Sequence, residues 1–146
     1  MKIFVFISML FSSILSSANC NGTNATRKEM DACVAANAFR AQQGVGVLVL
    51  KSNLNNVARA HAKDMSDRAY FEHDSPEGMS PTDRLNRAGI AWEQNAENIA
   101  QGQTSGQEAV TSWIGSPGHR ENLVNPEYTQ HGMGEFNGHW VHVFIK

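Results

Sequence analysis

The last eighteen residues constrain the fold most. Thr129 to Phe136 and His139 to Ile145 flank the dipeptide Asn137-Gly138, a pair that accepts positive φ at both positions and so closes a two-residue type I′ hairpin. In the second strand Trp140, His142 and Phe144 share one face, and Val141, Val143 and Ile145 share the other. A strand that is apolar on both sides has to be covered on both sides. The expectation is therefore a sheet with helices packed on each face.

The helices can be read from their punctuation. From Asp31, Ala32, Ala35, Ala36 and Phe39 recur at helical spacing until Gly44. Val45 to Leu50 is a short apolar run, either an extended connection or a strand. Ser52 then opens a helix with the stripe Leu54, Val57, Ala58, His61, Met65 and Ala69. His61 in that stripe reads as a core histidine with a hydrogen-bond partner, and Asp64 and Asp67 as its solvated face. Tyr70 to Gly78 is a loop by its Pro and Gly content. Ser80-Pro81 and Ser116-Pro117 each pair an N-cap residue with a proline at the first helical position. Ser105-Gly-Gln-Glu108 has the form of a capping box ahead of Ala109, Val110 and Trp113. Ile90 to Trp92 looks strand-like, and Asn125-Pro126 ends the last helix.

The other end of the chain reads as a leader. Met1-Lys2, the apolar run Ile3 to Leu15 and the small residues Ser16-Ser17-Ala18 make a secretory signal peptide over 1–18, too short in its apolar part for a spanning helix. Cleavage after Ala18 leaves about 128 residues, the size of one domain. Residues 19–30 read as a flexible polar tail ahead of a domain over 31–146. An exported chain with two cysteines permits one disulfide, Cys20–Cys33, the alternative being two free thiols. Asn21-Gly-Thr23 and Asn24-Ala-Thr26 are sequons that matter only in a eukaryotic source. The net charge is −2 and there is no Lys/Arg run, which argues against a nucleic-acid partner.

Three residues carry candidate chemistry. His119 falls in the first turn of the Ser116 helix, where free N–H groups and the partial positive charge disfavour imidazolium and keep the ring neutral. His73 lies in a loop rather than on a helix face, and Glu97 in a stretch with little other charge. Two imidazoles and one carboxylate suit a Zn²⁺ shell with one open position, and the same trio suits acid–base work on a water. Read without further context they are equally three unrelated residues: an exposed histidine, a capping glutamate and a histidine bonded to backbone. No His-Glu-x-x-His, paired-cysteine or Gly-x-Ser-x-Gly pattern accompanies them.

Taken in order, Asn37-Ala-Phe-Arg40, Ala60-His61-Ala62-x-Asp64-Met65, Phe71-x-His73-x-Ser75-Pro76, Ala96-Glu97-Asn98-Ile99-Ala100, Trp113 to Asn122 and His131-Gly132-Met133-Gly134 resemble the CAP superfamily. These are the cysteine-rich secretory, antigen 5 and pathogenesis-related-1 proteins, or SCP domains, here in a compact bacterial-like form. The resemblance implies an α/β fold, a three-layer α-β-α sandwich with a central antiparallel sheet. It also implies a cleft lined by two histidines and two acidic residues, of which His73, Glu97 and His119 match three. The second acidic position has no match: Ser116 stands at that offset, and Glu108 and Glu121 lie outside the motif. Arg40, Asn98 and Asn122 read as supports of the cleft, Trp113 and Trp140 as core, and Tyr128 as packing.

The resemblance further implies a secreted protein, extracellular or, in a bacterium, periplasmic or on the cell surface. The expected role is non-enzymatic ligand binding, with a lipid, sterol, protein or metal (Zn²⁺ or another divalent ion) as ligand, by a monomer without a transmembrane segment. The alternatives are a Zn²⁺-assisted hydrolase or peptidase working through His73, Glu97 and His119, and a scaffold for protein partners.

Overall fold

A computed structural model describes residues 17–146. The elements run α1 (Arg27–Gln42), β1 (Val49–Leu50), α2 (Ser52–Arg68), α3 (Pro81–Arg87), β2 (Asn95–Gln101), α4 (Gly106–Ile114), α5 (Pro117–Val124), β3 (Gln130–Phe136) and β4 (His139–Ile145). The strand order is β1-β3-β4-β2. β3 and β4 form the expected hairpin, with Phe136 opposite His139 and positive φ at Asn137 and Gly138. β2 pairs antiparallel with β4 from Asn95↔Ile145 to Gln101↔His139.

The two faces of β4 found two separate cores. Val141, Val143 and Ile145 join Ile99 of β2, Leu54, Val57, Ala58, Ala62 and Met65 of α2, and Leu85 of α3. Trp140, Phe144 and Met133 join Cys33, Ala36 and Phe39 of α1, Ala109, Val110 and Trp113 of α4, and Leu123 of α5. The result is the three-layer α-β-α sandwich. Its sheet is antiparallel through β2, β4 and β3, while the short β1 adds to the β3 edge in parallel, Val49↔Gln130 and Leu50↔His131. Gly132 and Gly134 let α2 lie directly on the sheet: a Cβ at either would come within 2.3 Å of Leu54 or 2.2 Å of Arg59 backbone, respectively.

Three expectations need correction. The tail over 19–30 is not loose: α1 starts at Arg27 behind a full capping box of Thr26 and Glu29, Cys20 is buried, and Asn24 bonds to Asn56 and Asn55 of α2. Glu29 is 0 % exposed and takes Arg59 at 2.6 Å, so what reads as a polar lead-in is an internal ion pair. Ile90–Trp92 is not a strand; pairing resumes only where Glu93 N–H donates to the Lys146 carbonyl. Ser52 is inside α2 and Lys51 is its N-cap, without a side-chain cap. Cys20 and Cys33 are joined in a disulfide. The signal peptide expected over 1–18 lies outside the described residues except for its last two positions.

Candidate functional site

The site is built on β2, a strand the sequence hides because Asn95-Ala-Glu-Asn holds no β-branched residue. Pleating sends Glu97 toward the α2–α3 layer and Asn98 toward the α4–α5 layer. Glu97 is buried, its side chain 1 % exposed, and both oxygens are engaged. Oε1 accepts from His73 Nδ1 at 2.9 Å, and Oε2 accepts from Arg84 Nη2 at 2.7 Å. His61 Nε2 lies 4.0 Å from Oε1. The His61 ring bonds to the Glu72 carbonyl at 3.0 Å, so it is the core histidine expected and also a neighbour of the site.

Arg84 is the residue that sequence reasoning missed. On a seven-residue helix it looks like a surface charge, yet its side chain is 10 % exposed and also donates to the Met79 carbonyl at 3.1 Å. The Ser80–Asp83 capping box, with Pro81 behind it, starts α3 where Arg84 reaches Glu97 one turn later. The partner of Arg84, Glu97, lies 13 residues away on another element, and nothing in the local sequence marks Arg84 as buried.

On the opposite face Asn98 Nδ2 donates to the His119 carbonyl at 3.0 Å, and Asn122 Nδ2 donates to Asn98 Oδ1 at 2.9 Å. Asn98 and Asn122, read from the sequence only as supports, thus hold α5 to β2. Arg40 is a support of a different kind, donating to the carbonyls of Gly46, Leu123, Asn125 and Tyr128. Ser116 is the N-cap of α5 but makes no side-chain cap bond, and Glu108 is committed to Thr104.

The electrostatics separate the histidines. The hydrogen bond to Glu97 raises the pKa of His73, whose side chain is about half exposed. Burial lowers that of His119, and His73 lowers it further. Burial also lowers that of His61. The structure thus brings His73 and Glu97 into contact, while His119 is coupled to His73 only electrostatically and, among the described residues, its ring makes no hydrogen bond to either.

These residues do not fit a zinc shell as they stand. The guanidinium of Arg84 already neutralises the carboxylate that would bind the ion. Among the described residues no group of three His, Cys, Asp or Glu side chains is placed to hold a metal. The Glu97–His73 pair does orient an imidazole, as carboxylates do for general bases. Among the described residues no Ser, Thr or Cys bonds to that ring to serve as nucleophile.

Beside the site, α2, α3 and the loop between them enclose a groove of about 650 Å³. Val57, Ala60, Met79 and Ala88 supply apolar wall, with Arg84 and Arg87 at one side. Arg68, also on the lining, is held by Asp64 and Glu77, whereas the contact of Arg87 is the Met79 sulfur at 3.9 Å.

The model of the cysteine-rich secretory protein family, CAP, matches residues 35–136. The chain belongs to the CAP family. Its SCP domain is 41% identical over 111 residues to the uncharacterized protein YkwD of Bacillus subtilis, covering 75% of this chain and 43% of that one. Among solved structures it resembles an extracellular protein containing an SCP domain from Bacillus anthracis, with TM-score 0.75 and 33% identity over 78% of this chain and 38% of the other. An outer surface protein of Borrelia burgdorferi shares the fold, with TM-score 0.73 at 22% identity, over 84% of this chain and 95% of that one. The chain spans less than half the length of the two Bacillus proteins. No helix among the described residues is long and apolar enough to cross a membrane.

Proposed function

We infer that this CAP domain is exported and binds an amphipathic organic ligand, of lipid or sterol type, in the groove between α2 and α3. The observation that carries the reading is the groove itself. Its volume of about 650 Å³ lies in the range of small-molecule sites, and its wall is apolar with a few convergent polar groups. The apolar body of the ligand would lie along Val57, Ala60 and Met79, and an acidic or hydroxyl end would meet Arg87. His73, Glu97 and Arg84 then serve to fix the loop and α3 that form one wall. Export rests on the leader-like sequence of 1–18 and on the extracellular and outer-surface relatives.

The test is a titration of the mature chain with a fluorescent fatty acid and, separately, a fluorescent sterol, beside Ala60→Phe, which fills the groove. Saturable binding of either probe that Ala60→Phe weakens at least tenfold supports the reading. No saturable binding of either, or equal binding by both proteins, overturns it.

A further inference from the structure

Met79 sits where the loop after α2 turns into α3, and its backbone is pinned. Its N–H donates to Ser75 Oγ at 3.1 Å, and its carbonyl accepts from the Ser75 N–H at 3.0 Å and from Arg84 Nη1 at 3.1 Å. The side chain starts from this fixed point and forms part of the groove wall. The other methionines among the described residues are placed differently. Met65 and Met133 are 0 % exposed, and Met30 packs against the α1 core. Met79 is partly exposed and lines the groove instead.

One guanidinium meets its sulfur. Arg87 Nη1 donates to Met79 Sδ at 3.9 Å. Arg68 is tied to Asp64 and Glu77, and Arg84 to Glu97, whereas Arg87 is exposed and, among the described residues, pairs with no carboxylate. A thioether is a weak acceptor, so this donor is poorly used. An oxygen bonded to the sulfur is a far better partner for a charged N–H. The separation of 3.9 Å spans one S–O bond and one ordinary N–H···O hydrogen bond, bent at the oxygen. The oxygen therefore fits between the two groups as they stand.

We propose that Met79 is an oxidation site, converted by a hydroperoxide to a sulfoxide whose oxygen Arg87 holds, and that this sulfoxide closes the groove to apolar ligands. The sulfur lone pair attacks one oxygen of the hydroperoxide, forming the S–O bond as the O–O bond breaks. The departing oxygen keeps the electron pair, takes the proton that the transferred oxygen loses, and leaves as water when the reagent is hydrogen peroxide. Sulfur is oxidised by two electrons and the peroxide is reduced by two, so no further reactant is needed. The N–H groups of Arg87 favour the step by meeting the charge that develops on oxygen. Oxidation turns a flexible apolar side chain into a polar one, here within the wall formed with Val57 and Ala60. The closing of the groove rests on the groove being the ligand site proposed above; the oxidation of Met79 does not.

The experiment uses the mature chain, whose methionines are Met30, Met65, Met79 and Met133. In the first arm it is treated with hydrogen peroxide and followed by peptide mass mapping. Met79 should gain oxygen at least about threefold faster than Met30, and Arg87→Leu should slow Met79 by about the same factor without changing Met30. Met30, packed on the core, also reports that the variant stays folded. Met30 reacting as fast as Met79, or a Met79 rate that Arg87→Leu leaves in place, overturns the proposal. In the second arm the fluorescent fatty acid is titrated before and after peroxide treatment. Affinity should fall about tenfold in the wild-type chain, while Met79→Leu should bind equally before and after treatment. An equal loss in both chains, or no loss in a chain that mapping shows to carry the sulfoxide, overturns the closing of the groove. If the untreated chain binds neither this probe nor the fluorescent sterol, the ligand reading and the closing of the groove fall together, and the first arm still decides whether Met79 is the oxidation site.

Discussion

Glu97 and Asn98 are neighbours on β2 whose side chains bond to opposite layers of the sandwich, Glu97 to His73 and Arg84, Asn98 to His119 and Asn122. Two consecutive residues of an edge strand thus fix the loop and α3 on one side and α5 on the other. One strand thereby ties the two helical layers to each other at this point.

Glu97→Gln leaves Arg84 buried without its counter-charge. Breaking a buried pair from one side costs about 3–5 kcal/mol, and urea denaturation of the variant should show a loss of that order. Asn98→Ala strands the Asn122 amide and the His119 carbonyl, for about 1–3 kcal/mol. Hydrogen exchange in Asn98→Ala should rise in α5 and not in α3.

Arg84→Met frees one oxygen of Glu97 next to His73. Calorimetric titration should show Zn²⁺ affinity at least tenfold higher in Arg84→Met than in the wild-type chain. Equal affinity would mean that the guanidinium does not compete with a cation for that carboxylate.

Acid should destabilise the fold through its buried imidazoles. Burial lowers the pKa of His131 to about 3 and that of His142 well below its ordinary value. A group whose folded pKa is depressed contributes fully above its unfolded value, near 6.5, and loses that contribution as pH falls toward the folded one. His73 works in the opposite sense: its raised pKa adds stability below about 6.5 that fades as pH rises through its folded value. His61 and His119 are lowered as well, and these four depressed groups outweigh one raised, half-exposed group, so the urea midpoint should fall between pH 7 and pH 5. A midpoint that rises over this interval would contradict the neutral assignment of His131 and His142.

Gly134→Ala drives a Cβ to within 2.2 Å of the Arg59 backbone, where no side chain can yield. A loss of about 3 kcal/mol or more is expected, seen as insoluble expression or a large drop in Tm. Gly118→Ala, in α5 with nothing within 4 Å of the new Cβ, should be neutral or stabilising by about 0.4–1 kcal/mol.

What the sequence revealed follows from which physical signals it carries. Alternation along β4 and the Asn-Gly turn announce a hairpin buried on both faces, and Ser80-Pro81 announces α3. Ser116-Pro117 looks identical, yet only Ser80 makes a side-chain cap, because capping depends on the φ and ψ of the serine, which the residue type does not set. The early start of α1 was hidden because its buried face carries Glu29, Cys33, Asn37 and Arg40, whose partners lie elsewhere in the chain. Hydrophobic periodicity is blind to a face buried through hydrogen bonds. His73 and Glu97 were legible as a pair through the family pattern, but Arg84 was not, since nothing local distinguishes a buried arginine from an exposed one.

Arg40 also bears on how the chain reaches its fold. Its carbonyl partners Leu123, Asn125 and Tyr128 stand 83, 85 and 88 residues further along, while Gly46 stands only 6 away. One guanidinium closes both a local loop and one of the longest loops in the domain, so its site is complete only when α5 has docked beside α1. Until then a charge that is costly to bury remains in water, which holds the α1–α4–α5 layer open. That layer should form in one late, cooperative step, and a fragment ending before α5 should leave α1 unsettled.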